Sequence, residues 1–283
     1  MREDVNKPEV AKVFFDVIAH QLTADLIKKH SSNPDDIRQI ALAGLSLKAC
    51  RNILDLGCGF GFFPEALKGR VHPEAEILGL DIVEAYEAPF LDACKKAGIK
   101  GRFEASGGSF VKKFPDDSFD LVLCSYALYF FPELIPEISR ILHPQGHFIV
   151  ITHDERNMEE LVQTAKEILR REGMMQDDFL PMERIISRFS SQNGAALLKP
   201  WFGDIQSIDY KNALTFKADE FPQLMEYFRF KSPFFVAGTQ MQVETFIDIL
   251  SVYVQQLCMA KNGFIISKDD RIFVCSWPLH KRN

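Results

Sequence analysis

One short stretch combines an acid with closely spaced glycines. Residues 53–61 read Ile-Leu-Asp-Leu-Gly-Cys-Gly-Phe-Gly, in which Asp55 ends an apolar run. Glycines then occupy the alternate positions Gly57, Gly59 and Gly61. The apolar run predicts a buried parallel strand, and the glycines predict a tight turn that lets a ligand approach the backbone closely. A helix that starts after such a turn offers N–H groups without intrahelical partners, so the stretch predicts a site for an elongated polar ligand.

A second acid ends the next apolar run. The run Ile77-Leu78-Gly79-Leu80 is followed by Asp81, which lies 20 residues beyond Gly61. In nucleotide-binding α/β folds, an acid about 20 residues beyond the glycine turn bonds the ribose hydroxyls. Asp81 is therefore predicted to bind a ribose, which does not by itself separate a dinucleotide from other nucleoside cofactors.

The glycine spacing separates two kinds of cofactor. A dinucleotide-binding turn has the pattern G-x-G-x-x-G, in which the third glycine lets the helix pack against the strand. Here the spacing is G-x-G-x-G, and position 62 is Phe. Asp55 would also repel a pyrophosphate, whereas it would attract a ligand with a positive charge. These residues favour a cationic nucleoside cofactor over NAD, and competition between the two ligands would discriminate them.

The order of these motifs resembles that of a known enzyme family. Asp-x-Gly-x-Gly-x-Gly after a strand resembles motif I of the class I S-adenosyl-L-methionine (SAM)-dependent methyltransferases, whose cofactor carries a sulfonium and an ammonium but no phosphate. Residues 114–125, which include Ser118-Phe119-Asp120 before a third apolar run, resemble the fourth-strand region of small-molecule methyltransferases. Residues 138–150 resemble their helix, Pro-Gly turn and fifth strand. The resemblance covers residues 50–155 and implies the fold and the cofactor SAM, but not the substrate.

The resemblance also implies which residues contact the cofactor. Asp55 would bind the methionine ammonium, Asp81 the ribose hydroxyls, and Ile82 would form an apolar wall for the adenine. The other implied contacts are backbone approach at Gly57 and Gly59, the helix start at Gly61, the turn residue Cys58, the adenine edge at Gly108 and Ser109, and the backbone carbonyl of Cys124. For Cys58 and Cys124, packing as small spacers is the alternative.

One position departs from the family pattern. The related pattern has an acid after the third strand that contacts the adenine amino group, and counting back from Asp120 places Gly108 there. Backbone groups near Gly108 and Ser109, or the Ser109 hydroxyl, would then hold the adenine. We expect weaker cofactor binding from the loss of this acid.

Three side chains are candidates for the chemical step. His153 follows the predicted fifth strand in Thr152-His153-Asp154-Glu155, at the edge where such sheets bind ligands, and is the candidate general base. An exposed loop histidine is the alternative. Tyr126 and Tyr129 follow the fourth strand, where they would donate to a substrate oxygen or surround a methylated amine, with packing as the alternative. A base is needed only if the acceptor must lose a proton.

Strands and helices alternate from residue 52. We predict strands at 52–56, 76–81, 101–105, 119–125 and 146–152, with helices at 61–69, 86–97 and 132–142. This order predicts an α/β fold with a doubly wound, mainly parallel seven-stranded sheet, the Rossmann-like methyltransferase fold. Residues 263–275 predict a β-hairpin with a polar turn at Lys268-Asp269-Asp270-Arg271, whose second arm is the last, antiparallel strand of the sheet.

The chain is predicted to comprise four stretches. Residues 1–49 form an N-terminal helical cap, beginning with a helix at 8–30, and residues 50–155 form the SAM-binding core. Residues 156–203 form a helical insertion that serves as a substrate lid. Residues 204–283 complete the sheet and add helices.

Composition argues against several classes of function. The net charge is −6, so a broad electrostatic contact with nucleic acid is not expected. No run approaches the roughly 18 apolar residues of a transmembrane span, so we predict a cytoplasmic protein without a membrane partner. The six cysteines form no C-x-x-C pair and the seven histidines lack ligand spacing, which predicts reduced thiols and no metal site.

These observations predict a SAM-dependent methyltransferase that modifies an oxygen or nitrogen atom of a small molecule. A methyltransferase acting on nucleic acid or protein is an alternative. The net charge disfavours it, and so does Cys124-Ser125-Tyr126-Ala127, which stands where an Asn-Pro-Pro-Tyr-like motif would be. A non-catalytic SAM-binding or partner-activating protein is the other alternative, and turnover of SAM with an acceptor would separate it. The sequence predicts neither the acceptor nor the oligomeric state.

Overall fold

The computed structural model describes residues 12–175 and 178–279, and a large sheet is its main feature. The strands in these residues are β1 Asn52–Leu56, β2 Glu76–Asp81, β3 Lys100–Ala105, β4 Phe119–Ser125, β5 Leu142–His153, β6 Phe202–Tyr210, β7 Ala213–Lys217, β8 Gly263–Ser267 and β9 Asp270–Pro278. Seven of these described strands form one sheet in the order β3-β2-β1-β4-β5-β9-β6. Strands β1 to β5 are parallel, whereas β9 is antiparallel to both β5 and β6. The predicted mainly parallel, seven-stranded sheet is confirmed.

The central strands are buried on both faces, which explains their continuous apolar runs. In β1, Ile53, Leu54 and Leu56 are each at most 1% exposed. Parallel strands covered by helices on both sides require such runs. Because the carboxyl ends of parallel strands meet at one edge, the sheet brings Asp81 at the end of β2 and His153 at the end of β5 to the same edge.

Helices flank the strands close to the predicted positions. The described α-helices span Val17–His30, Ile37–Ala41, Pro64–Leu67, Glu87–Ala97, Ile135–Ile141, Glu159–Arg171, Pro181–Ile186, Gly194–Leu198, Phe221–Val236 and Val243–Lys261. The helix Glu87–Ala97 buries Phe90, Cys94 and Ala97 on one face and ends at Gly98, whose φ of 72° no longer fits a helix. Residues 8–11 of the helix predicted over 8–30 lie outside the described residues.

The helix after the glycine turn is shorter than predicted. It spans Pro64–Leu67, whereas the sequence predicts 61–69. Gly61 has a φ of 91°, which excludes it from a right-handed helix, and Pro64 is suited to a first turn because it lacks an N–H group. The N–H groups near the predicted ligand therefore belong to the loop rather than to a long helix.

The predicted hairpin over 263–275 is wrong, although its second arm is indeed the last antiparallel strand. β8 pairs with β7 in a separate two-stranded sheet, and β9 joins the large sheet. The backbone between them is held by other partners, since Lys268 N donates to Asn212 O at 3.1 Å. Asp270, predicted to lie in the polar turn, is instead the buried first residue of β9.

Backbone contacts divide the chain into two compact units. Of the described residues, the core unit comprises 35–153, 188–210 and 270–279, and holds the whole seven-stranded sheet. The accessory unit comprises 12–34, 154–175, 178–187 and 211–269, and holds the β7–β8 sheet. The division into four stretches, with a lid at 156–203, stays a prediction.

The length and apolar character of the described helices bear on whether one of them could span a membrane. Within that part of the chain, no helix is both long enough and apolar enough to cross a membrane. The cytoplasmic location stays a prediction.

Candidate functional site

The glycine turn after β1 has the left-handed backbone that favours glycine, as expected for a tight turn. Gly57 has a φ of 72°, and a Cβ atom added to it would lie 2.5 Å from Ala127 Cβ, so a larger residue does not fit. Gly57 N donates to Leu80 O of β2 at 2.8 Å, which fixes the start of the turn. At Gly59, with a φ of 50°, an added Cβ would meet no atom within 4 Å. The turn is therefore fixed at Gly57 and open at Gly59, where a ligand has room to approach.

The carboxylate of Asp55 is buried in the core unit. It is 2% exposed, and its Oδ2 atom has no hydrogen-bond partner within the described residues. Burial, together with the charge of Asp81, raises the pKa of Asp55 to about 7. A buried carboxylate is unfavourable unless a donor or cation compensates it, so this position suits a positively charged ligand group.

Asp81 lies beside the turn and contacts it directly. Its Oδ2 accepts a hydrogen bond from Gly59 N at 2.9 Å, and its Oδ1 accepts from Val83 N at 3.0 Å. Burial raises the pKa of Asp81, although the backbone N–H groups act in the opposite direction. Because each carboxylate oxygen can accept more than one hydrogen bond, Asp81 retains capacity for hydroxyl donors.

The predicted adenine contacts differ in what surrounds them. Ile82 is 58% exposed, so its apolar side chain is accessible to a flat ring. Gly108 is constrained by packing, because an added Cβ would lie 2.9 Å from Leu134 Cδ1 and 3.1 Å from Phe131 Cγ. An acid at this position would require the Leu134 or Phe131 side chain to shift. Ser109 next to it is exposed.

The two candidate cysteines are packed into the core unit. Cys58 is 3% exposed, and Cys124 is fully buried in β4. Burial raises the pKa of both thiols well above the ordinary value, so neither ionises near neutral pH. Their side chains serve packing, and only the backbone of Cys124 is available for the predicted contact.

The candidate base has a partner that the sequence analysis missed. His153 Nδ1 lies 2.7 Å from Asp270 Oδ1, and the Tyr126 hydroxyl donates to Asp270 Oδ2 at 2.8 Å. The rings of Tyr126 and His153 stack with their centroids 4.6 Å apart, and the Tyr129 ring lies 6.1 Å from that of His153. The structure thus brings all three candidate catalytic residues together around Asp270. A signal was present, since Asp270 lies two residues before the apolar run of the last strand, which is antiparallel to β5.

Both tyrosines are neutral donors. Burial, reinforced by Asp270, raises the pKa of Tyr126 well above its ordinary value, and burial likewise raises the pKa of Tyr129. Of the three candidate catalytic side chains, the imidazole of His153 is therefore the one suited to accept a proton.

The sequence analysis also missed Arg188. It donates to the carbonyls of Tyr129 at 3.1 Å and Phe130 at 2.8 Å.

The chain is similar to proteins of a known family. A family model described as a methyltransferase domain matches residues 47–216, which is more than half of the chain. This range includes the glycine turn, both acids and all three candidate catalytic side chains.

Individual relatives are similar over shorter stretches. The chain is 29% identical over 118 residues to the uncharacterized methyltransferase YcgJ of Bacillus subtilis, covering 39% of this chain and 46% of that protein. It is 32% identical over 121 residues to a malonyl-[acyl-carrier protein] O-methyltransferase of Legionella pneumophila, covering 41% of each. The chain thus spans less than half the length of these curated relatives.

A solved structure shares the fold over most of the chain. It is Haemonchus contortus phosphoethanolamine N-methyltransferase 2, in complex with phosphomonomethylethanolamine and S-adenosylhomocysteine. The TM-score is 0.51 at 15% identity, and the match covers 93% of this chain and 57% of the other. At that identity the likeness shows the fold alone.

Proposed function

The chain belongs to the methyltransferase domain family and has the fold of class I SAM-dependent methyltransferases; on that premise, we propose that it transfers a methyl group to an oxygen or nitrogen atom of a small molecule. The observation that carries the proposal is the buried carboxylate of Asp55, whose Oδ2 has no partner within the described residues. A nucleoside cofactor with a positive charge would supply that partner, whereas a pyrophosphate would add a further negative charge.

The residues at the turn fit SAM as the group that is held. Asp55 would bind the methionine ammonium, and Asp81 would bind the ribose hydroxyls. The open space at Gly59 admits the cofactor to the backbone, and the exposed Ile82 would cover the adenine. Because Gly108 carries no side chain, the adenine edge would be held by backbone groups there or by Ser109. SAM, when bound, supplies a methyl group on a sulfonium, which is a good leaving group.

The chain's own side chains would orient the acceptor and manage its proton. Tyr126 and Tyr129 are neutral phenols, so neither is suited to accept the proton of the acceptor. The single hydroxyl hydrogen of Tyr126 is donated to Asp270, so Tyr129 is the candidate donor to an acceptor atom. His153 is the candidate acceptor of that proton. The name of the Legionella pneumophila relative, an O-methyltransferase, supports oxygen as a target atom. The net charge of −6 supports a small molecule over a nucleic acid.

Methyl transfer from SAM labelled with carbon-14 in its methyl group tests the proposal. The purified chain would be incubated with a catechol, a hydroquinone, a carboxylic acid and a primary amine in separate reactions. We expect S-adenosylhomocysteine and a labelled small-molecule product with at least one of these acceptors. The matched control is the Asp55→Asn variant, which retains the size of the side chain but not its charge.

Other outcomes identify the alternatives. Label in precipitated protein or RNA added to the reaction, without a small-molecule product, would indicate a macromolecular acceptor. Binding of S-adenosylhomocysteine without turnover of any acceptor would favour a non-catalytic SAM-binding protein. Either result would contradict a small-molecule methyltransferase.

A further inference from the structure

Two side chains, those of His153 and Tyr126, meet at the buried carboxylate of Asp270. The Asp270 side chain is 3% exposed, and its two oxygens face different partners, with Oδ1 at 2.7 Å from His153 Nδ1 and Oδ2 at 2.8 Å from the Tyr126 hydroxyl. His153 is 13% exposed, so it lies closer to solvent than the acid behind it. Hydrogen bonds to both oxygens fix the orientation of the Asp270 carboxylate. The fixed carboxylate in turn orients the imidazole of His153.

The strand register produces this arrangement. His153 is the last residue of β5 and Asp270 the first residue of β9, and the two are directly paired across the antiparallel strands. Directly paired residues project on the same side of a sheet, so the contact follows from the pairing. Tyr126 follows β4 with a φ of 56°, a left-handed backbone that a tyrosine rarely adopts. That conformation brings its ring onto the ring of His153.

The hydrogen bonds determine which imidazole nitrogen can act. A carboxylate is an acceptor only, so Nδ1 must carry a hydrogen to bond Asp270. In the neutral ring Nε2 is then the atom with a lone pair. Once Nε2 gains a proton, the ring becomes an imidazolium whose charge Asp270 stabilises at 2.7 Å.

We propose that Asp270 is a positioning residue, which holds His153 in the Nδ1–H tautomer so that Nε2 takes a proton from a weakly acidic hydroxyl of the methyl acceptor. This inference rests on the proposed function and narrows its acceptor to phenols and related hydroxyl compounds. The O–H bond of the acceptor breaks, and the proton goes to Nε2. The electron pair left on oxygen would form the new bond to the methyl carbon while the bond from that carbon to the sulfonium sulfur breaks. The electron pair of that broken bond would go to sulfur, so that S-adenosylhomocysteine is the leaving group. A neutral amine has a lone pair already and would not need this arrangement.

Nitrogen-15 NMR of histidine side chains tests the tautomer without any acceptor. The His153 signals are identified as those missing from the spectrum of His153→Gln. We expect the wild-type protein at pH 8 to show a protonated Nδ1 and an unprotonated Nε2 at His153. The opposite tautomer, or an equal mixture, in the wild-type protein would overturn the proposal whatever happens to the variants.

Variants then test the role of the carboxylate. In Asp270→Asn one acceptor oxygen remains for two donors, so we expect His153 to lose its single tautomer. Asp209→Asn is the matched control, because Asp209 lies on β6, is 55% exposed and pairs with Arg271 instead. We expect the control spectrum to match the wild type. An unchanged His153 tautomer in a folded Asp270→Asn protein would contradict the role of Asp270.

Kinetics separate a positioning role from a merely structural one. With the catechol or hydroquinone as acceptor, we expect kcat to fall about 100-fold or more in Asp270→Asn, as for loss of a general base, with little change in KM for SAM. Tyr126→Phe removes only the donor to Oδ2, so we expect a smaller fall. Turnover of amines but not of hydroxyl compounds by the wild type would overturn the acceptor class.

The two proposals fail in different ways. If the wild-type protein does not bind S-adenosylhomocysteine, the proposed function fails. If the wild-type protein binds S-adenosylhomocysteine with micromolar affinity but His153 carries its hydrogen on Nε2 instead of Nδ1, only the proposed role of Asp270 fails.

Discussion

Replacing Asp55 by Asn should weaken S-adenosylhomocysteine binding by about 30-fold or more, because removing one partner of a buried, hydrogen-bonded charge pair costs about 2–5 kcal/mol. S-adenosylhomocysteine keeps the ammonium that Asp55 is proposed to bind. Calorimetric titration at pH 8 measures the loss, since the carboxylate is ionised there, above its pKa of about 7. In the wild type, affinity should also fall as the pH drops below about 7, because the protonated acid must first lose its proton.

Asp55→Asn weakens cofactor binding, but it should stabilise the ligand-free protein above about pH 4, because it removes a buried carboxylate. The pKa of Asp55 rises from 3.8 in the ordinary carboxyl group to about 7 in the folded protein, so the folded state binds more protons than the unfolded state between these values. The free energy of unfolding of the ligand-free wild type therefore falls, relative to the Asn variant, as the pH rises from about 4 to about 7 and is constant above. The full shift corresponds to at most about 4 kcal/mol.

Denaturant unfolding of both proteins at pH 5 and pH 8 measures this difference. The matched control is Asp120→Asn, because Asp120 accepts from Arg51 N and Asn52 N at the opposite edge of the sheet. That variant should bind S-adenosylhomocysteine as the wild type does. Equal affinities for the wild type and the Asp55→Asn variant would remove Asp55 from the cofactor site.

Replacing Phe90 by Ala should destabilise the core unit by about 3–5 kcal/mol, the range for a buried phenylalanine. Phe90 is fully buried, and its ring fills the space where a Cβ added to Gly79 would lie, 2.6 Å from Cζ. It also packs on Phe103, with the ring centroids 6.0 Å apart. The ring therefore holds the helix Glu87–Ala97 against β2 and the glycine turn, and its loss leaves a cavity.

Urea unfolding followed by circular dichroism measures the effect. Leu197→Ala is the control in the same unit, because Leu197 is 37% exposed and should cost less than about 1 kcal/mol. A loss at Phe90 no larger than at Leu197 would mean that the helix is held by other contacts.

Much of the fold could be predicted because local patterns determine it. Buried parallel strands need continuous apolar runs, and the run before Asp55 and the run before Asp81 both became central strands at the predicted bounds. The position of the glycine turn was also predicted, because three closely spaced glycines follow the first apolar run. The helix after it was overextended, since hydrophobic periodicity does not show where Gly61 and Pro64 interrupt the helical backbone.

Pairing between distant segments could not be predicted in the same way. Apolar runs identified β8 and β9 as strands, but such runs carry no information on the partners of a strand, so the short polar segment between them resembled a hairpin turn. Asp270 was consequently predicted to lie in that polar turn, although it is buried against His153. The residues of the glycine turn are close together in the sequence, so they could be predicted as one motif. Asp270, the carboxylate that contacts His153, lies 117 residues from it in the sequence and was missed.

Calorimetric titration of the purified chain with S-adenosylhomocysteine, with NAD as the comparison ligand, tests the central claim most directly. The claim is that the acids and the glycine turn of the core unit bind a cationic nucleoside cofactor. We predict micromolar binding of S-adenosylhomocysteine and no binding of NAD under the same conditions. Binding of NAD, or the failure of S-adenosylhomocysteine to bind, would contradict that claim.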